Sequence, residues 1–233
     1  MVGPIVILIE GEYNYVEKER NYCQETFKLT HHNETGHYIL LSEIFSRMDS
    51  GELLKVNVHY EMNQYYFPIN VKISRSLGKK FSLETFILDT TAQSLQYTFQ
   101  TDSAAQNYSM PASNKHYIAS PSFATTALFT LSKKFDATGR TAVSMITTDN
   151  TWDYQGPPED RIIYADFKTR ELTDFKINKT ELSAMLLHLY KGDASSLQPE
   201  EPVELYLSKH FNLPCQMSHG DQQILVKSLK KIN

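Results

Sequence analysis

Apolar and polar side chains alternate along two successive stretches of this chain. Across residues 53–62 one face reads Leu54, Val56, Val58, Tyr60 and Met62, and the other reads Leu53, Lys55, Asn57, His59 and Glu61. Across 65–75 one face carries Phe67, Ile69, Val71 and Ile73, and the other carries Tyr66, Pro68, Asn70, Lys72 and Ser74. A period of two, with one greasy and one wet face, predicts antiparallel strands that cover a core on one side. If Asn63 and Gln64 make a tight turn, Tyr60 falls opposite Phe67, Val58 opposite Ile69, Val56 opposite Val71 and Leu54 opposite Ile73. Every apolar residue then meets an apolar partner, and a slip of one position would turn the whole set to the wrong face. Pro68 has no N–H to give to the ladder, so a bulge or a local break is expected beside it.

The pattern extends in both directions. Ser50 and Gly51 separate an earlier extended stretch, 37–47, from the strand at 53. Gly78 and Lys79 can turn the chain into 81–88, which is apolar on both faces. Leu95, Tyr97 and Phe99 follow with Gln96, Thr98 and Gln100 between them, and 22–30 is a weaker strand with Phe27 and Leu29 on one face. The result is a meander of about six strands, some near ten residues and so about 33 Å long. A sheet of that length twists and tends to curl.

The period then changes. Residues 101–115 are polar and patternless and read as a loop. Ser120 and Pro121 resemble a helix start, and Phe123, Ala124, Ala127, Leu128, Leu131 and Phe135 fit one helical face, predicting a helix over 122–134. Leu182, Met185, Leu186 and Leu189 predict a second helix over 180–191, ended by Gly192 and followed by a loop over 193–202. Strand signals return at 141–147, 161–167, 173–177 and 223–229. The fold class expected is mainly β. A long-stranded antiparallel meander curls into a half-barrel or β-roll around one or two helices, in a single domain spanning 1–233.

Composition narrows what such a shell does. The chain has 233 residues, 27 acidic against 23 basic, for a net charge of −4. That balance argues against nucleic acid as a partner. No apolar run has the length of a membrane span, so no integral membrane association is expected. The apolar start ends at Glu10, and no lysine or arginine precedes Lys18, which is unlike a secretory signal. The expected location is cytoplasmic, with a periplasmic one as the alternative if a leader has been removed. The two cysteines, Cys23 and Cys215, are too few for a disulfide framework or a structural zinc site.

Candidate chemistry is sparse. There is no glycine-rich phosphate loop, no Gly-x-Ser-x-Gly elbow and no His-Glu-x-x-His helix. His31 and His32 are adjacent, so on a strand they face opposite ways and cannot chelate together. No catalytic residue, metal ligand or cofactor is assigned. His59 and Glu61 share one strand face and could act as base and orienting carboxylate, joined by Arg47 and Asp49. An ordinary solvated face with cross-strand partners is the simpler reading of them. Tyr60, Phe67, Tyr97 and Phe99 fall on the face that must be covered, where they either fill a core or line a ligand cavity. Trp152, in a loop rich in Gly and Pro, reads equally as a rim residue of such a cavity or as an anchor of its own loop.

One resemblance adds to this reading. The run Ser42-Glu43, Arg47, Asp49-Ser50-Gly51, Tyr60-Glu61-Met62 and Phe67-Pro68, then Leu83, Phe86, Leu88 and Tyr97-Thr98-Phe99, resembles a meander of uncharacterised bacterial spiral β-roll proteins. These are similar in outline to lipoprotein-carrier-like half-barrels. The resemblance covers roughly residues 20–170 and rests on strand lengths, turn positions and aromatic placement. It implies a sheet wrapped round helices or an apolar cavity, and a lipid or glycolipid partner. The expected function is non-enzymatic binding of an apolar or amphiphilic small molecule at Tyr60, Phe67, Tyr97, Phe99 and Trp152. The alternatives are a hydrolase-type enzyme built on His59 and Glu61, or a ligand-free interaction protein of undetermined oligomeric state.

Overall fold

The computed structural model describes residues 5–168, 172–177, 180–191 and 201–232. They form one sheet of sixteen strands. The first wing runs β1 (Ile5–Glu17), β2 (Arg20–His32), β3 (Tyr38–Arg47), β4 (Leu53–Met62), β5 (Pro68–Leu77), β6 (Lys80–Asp89), β7 (Ser94–Thr101) and β8 (Ala105–Pro111), each paired with the next. The second wing holds β9 (His116–Ile118), β10 (Arg140–Thr147), β11 (Glu159–Phe167), β12 (Thr173–Ile177), β13 (Thr180–Lys191), β14 (Val203–Ser208), β15 (Pro214–His219) and β16 (Gln222–Lys231). In space the order is β8 to β1, then β16, β15, β14, β13, β11, β10 and β9, with β12 pairing β13 on a branch. All pairings are antiparallel except β9 with β10. The large sheet is not closed into a barrel.

This order sets the path of the chain between β8 and β10. β8 and β9 are consecutive in sequence but lie at opposite ends of the strand order, so the chain must cross the molecule. It crosses the buried face. Tyr117, Ile118, Phe123, Ala124, Leu128 and Phe129 are all buried, packed against Tyr13, Tyr60, Val71 and their neighbours in one core. We call residues 112–135 the strap. Each Val, Leu, Ile or Phe buried this way contributes about 1.5–3 kcal/mol.

The meander of 20–101 was legible in the sequence, and Val56 and Val71 are both buried as alternation requires. Its central hairpin differs in register. The turn spans residues 63–67, with Tyr66 at φ 62° and the Asn63 side chain accepting N–H groups of Tyr65 and Phe67. Tyr60 therefore pairs with Val71 and Val58 with Ile73, four residues further along β5 than a tight turn gives. An even slip keeps every side chain on its face, which is why alternation could not detect it. The irregularity expected at Pro68 is present, between Glu61 and Met62 on the facing strand.

Both expected helices are replaced. Over 122–134 there are two short 3-10 turns, Phe123–Thr125 and Leu128–Leu131. The threonines explain this: Thr125 Oγ1 donates to Ser122 O and Thr130 Oγ1 to Ala127 O, each at 2.8 Å, offering the backbone an alternative to a regular helix. Over 180–191 the chain is strand β13, between β14 and β11. Its apolar residues lie on both faces, a pattern that spacing alone cannot tell from a helix. The stretch 101–115, expected as a loop, contains β8. The loop over 193–202 falls mainly outside the described residues.

Candidate functional site

The second wing and the strap enclose a cavity of about 420 Å³. Its floor is one row of side chains across five neighbouring strands: Met145 on β10, Ile163 on β11, Leu189 on β13, Val203 on β14 and Met217 on β15. The register places them on one face. Val143 pairs with Ile163, Ala165 with Leu189, Leu189 with Val203 and Leu205 with Met217, and side chains two apart on a strand point the same way. The opposite wall is the strap, through Ile118, Thr125, Thr126 and Phe129. Ala119, Ser120, Thr147, Tyr190, Glu201 and His219 complete the lining. The volume and the apolar walls suit a small-molecule site.

The strap is held in place by polar groups buried in the first wing. Glu25 on β2 has no exposed surface. Its carboxylate accepts from Tyr15 Oη at 2.6 Å, Ser42 Oγ at 2.7 Å, Ser122 Oγ and the Phe123 N–H at 2.9 Å. Tyr60 Oη accepts the Ile118 N–H at 3.2 Å, and Phe123 meets the Tyr13 ring edge-on at 4.7 Å. A second buried carboxylate, Glu84 on β6, binds Arg75 Nη1 at 2.6 Å, Tyr97 Oη at 2.9 Å and Thr148 Oγ1 at 2.6 Å. Asn150 donates to Tyr97 Oη and to Gly156 O, and its own carbonyl accepts the Gln155 N–H, which fixes the loop after β10. Burial raises the Tyr60 and Tyr97 hydroxyls well above their ordinary range, so both stay protonated donors or neutral acceptors.

The residues singled out in the sequence occupy other positions. Tyr60, Tyr97 and Phe99 are 1%, 1% and 2% exposed and belong to the packed first-wing core. Phe67 is half-buried, with its ring 6.0 Å from that of Tyr117. Trp152 borders a separate crevice of about 190 Å³ with Phe81, Thr101 and Asp102. None of the five lines the large cavity. Of the strands that floor it, β10 and β11 were expected from the sequence, β13 was expected as a helix, and β14 and β15 gave no strand signal.

The polar set around His59 does not assemble. Glu61 is bound by His37 at 2.9 Å. Arg47 pairs with Leu53, whereas His59 sits at the other half of β4 opposite Leu41, so Arg47 and Asp49 are strands' length away. His59 Nδ1 is buried with no hydrogen-bond partner, and desolvation lowers the imidazole pKa. Cys23 and Cys215 are buried free thiols, and desolvation pushes both up to about 12, which makes them poor nucleophiles. Among the described residues no group of three or more His, Cys, Asp or Glu side chains could hold a metal ion. No helix among them is long and apolar enough to cross a membrane.

No family model and no curated protein matches the sequence. Two solved structures share its fold. A β-barrel-like protein with a domain of unknown function, DUF1849, from Brucella abortus superposes with a TM-score of 0.63 at 7% identity, covering 98% of this chain and 99% of that one. A DUF1089 family protein from Pseudomonas aeruginosa gives a TM-score of 0.54 at 8% identity, covering 85% and 90%. These likenesses establish a β-barrel-like architecture and carry no activity with them.

Proposed function

We propose that this protein binds an apolar or amphiphilic small molecule, a lipid or glycolipid, between its second wing and the strap. The observation that carries the reading is the cavity of about 420 Å³, floored by Met145, Ile163, Leu189, Val203 and Met217. The first wing has a space of about 370 Å³ at its edge, but Glu17, Arg20, Arg47 and Asp49 line it, so it lacks the apolar floor of the second-wing cavity. The reading assigns no chemistry to the protein, in keeping with the dispersed positions of His59, Glu61, Arg47 and Asp49.

The test uses N-phenyl-1-naphthylamine, an uncharged dye whose emission rises in apolar surroundings. Saturable enhancement is expected with the parent protein and strong loss of it in Val203→Trp and Met217→Trp, which place bulk on the floor. Circular dichroism verifies that the variants keep their sheet. Enhancement that never saturates, or that survives in both folded variants, rules the reading out.

A further inference from the structure

We infer that the ligand of this cavity carries an uncharged polyol head, of glycerol or sugar type, seated beyond Thr147, with its chain lying over the apolar floor. The inference rests on the binding role proposed above and adds the chemistry and orientation of the ligand.

The first observation is a boundary between apolar and polar lining. Thr147 ends β10 and lines two spaces at once: the large cavity, and a crevice of about 170 Å³ formed with Thr148, Asp149, Gln155, Glu159 and Arg161. The two spaces share one face of the sheet. Thr147 pairs with Glu159 and Met145 with Arg161, so Met145, Thr147, Glu159, Arg161 and Ile163 all project from the same side of β10 and β11. Along that side the lining changes from Ile163 and Met145 to Arg161, Glu159 and Thr147. A ligand lying along it would meet apolar surface at one end and hydrogen-bonding groups at the other.

The second observation is independent. Thr147 Oγ1 is buried at this boundary without a hydrogen-bond partner. A buried hydroxyl left unmatched is unfavourable, and native proteins rarely keep one without a use. The oxygen is turned away from both spaces, so a rotation of the Thr147 side chain toward the crevice would let a hydroxyl or ether oxygen of a ligand satisfy it.

The charge pattern of the crevice decides the class of head. Glu159 and Asp149 both approach Arg161, at 2.8 and 3.8 Å, so the cation is already matched by two carboxylates. An anionic head would meet those carboxylates. A polyol suits the set, since carboxylate oxygens accept from hydroxyls while the guanidinium donates to them. The loop that carries Gln155 and Gly156 is held by Asn150, so the crevice is formed before any ligand arrives.

Displacement of N-phenyl-1-naphthylamine tests this with three amphiphiles of one chain length, each below its critical micelle concentration: dodecyl glucoside, 1-monododecanoyl glycerol and dodecanoic acid. The two polyol compounds are expected to displace the dye at concentrations about tenfold below dodecanoic acid. Thr147→Val keeps the shape and removes the hydroxyl. With the dye's own affinity for the variant titrated as the reference, it is expected to weaken both polyol compounds about fivefold, the usual effect of one hydrogen bond. A glucoside preferred over the glycerol ester identifies a sugar head, and the reverse order a glyceride. Equal or better displacement by dodecanoic acid, or polyol binding untouched by Thr147→Val, overturns the inference while the dye signal leaves the binding role standing. A dye that fails to bind the parent protein overturns both.

Discussion

The carboxylate of Glu25 on β2 accepts the backbone N–H of Phe123 at 2.9 Å across ninety-eight residues of sequence. This contact ties the strap to the sheet at the start of its first 3-10 turn, and Tyr15, Ser42 and Ser122 donate to the same group. Among the described residues its hydrogen-bond partners are hydroxyls and backbone N–H groups. Glu25→Leu would leave several buried donors unmatched, each costing about 1–3 kcal/mol. The expected result in urea unfolding is a loss of at least about 3 kcal/mol, against about 1–2 kcal/mol for Glu25→Gln, which keeps the shape and one acceptor. A Glu25→Leu protein as stable as its parent would show that the strap is held by apolar packing alone.

Gly11 on β1 pairs with Phe27 on β2, and the Phe27 ring lies across it. A Cβ at Gly11 would stand 2.3 Å from Phe27 Cε1, closer than any real contact. The ring cannot simply retreat, because it stacks on Tyr13 at 5.2 Å, and Tyr13 in turn supports Phe123 of the strap. Gly11→Ala is therefore expected to lower stability by about 1–3 kcal/mol through overpacking, read as a lower urea midpoint with an unchanged slope. In Gly11→Ala/Phe27→Leu the smaller side chain should recover part of the loss. Additive losses in the double variant would mean that the two positions do not clash.

The sequence displayed the first wing because its strands have one wet face. Strand signals also marked β10, β11, β12 and β16 of the second wing, but β13, apolar on both faces, was concealed, as was β8, a polar edge of the first wing stitched to β7 by Thr98 with Asn107 and Gln96 with Ser109. Glu25 and Glu84 left a trace that alternation could have revealed. Each stands in phase with buried apolar residues, Glu25 between Cys23 and Phe27, and Glu84 two before Phe86. A carboxylate on a greasy face must find donors, but nothing local says that those of Glu25 lie in the strap. The cavity was illegible for a related reason. Its floor takes one residue from each of five strands, and its far wall exists only because the chain crosses from β8 to β9.

The outer face supplies a pH-dependent term. Desolvation lowers the pKa of His59, and the Lys72 charge on the paired strand adds to this while Glu61 opposes it. The unfolded imidazole titrates near ~6.5. On acidification the unfolded chain therefore takes up a proton before the native protein does. The stabilisation tied to neutral His59 is fully present above the unfolded value and is lost as the pH falls through the folded one. His188 behaves alike, lowered by desolvation and by Lys168. Urea midpoints measured from about pH 7 down to about pH 5 should fall, and His59→Gln should flatten part of that slope, with His59→Gln/His188→Gln flattening more. A slope unchanged in the double variant would assign the acid sensitivity to the carboxylates instead.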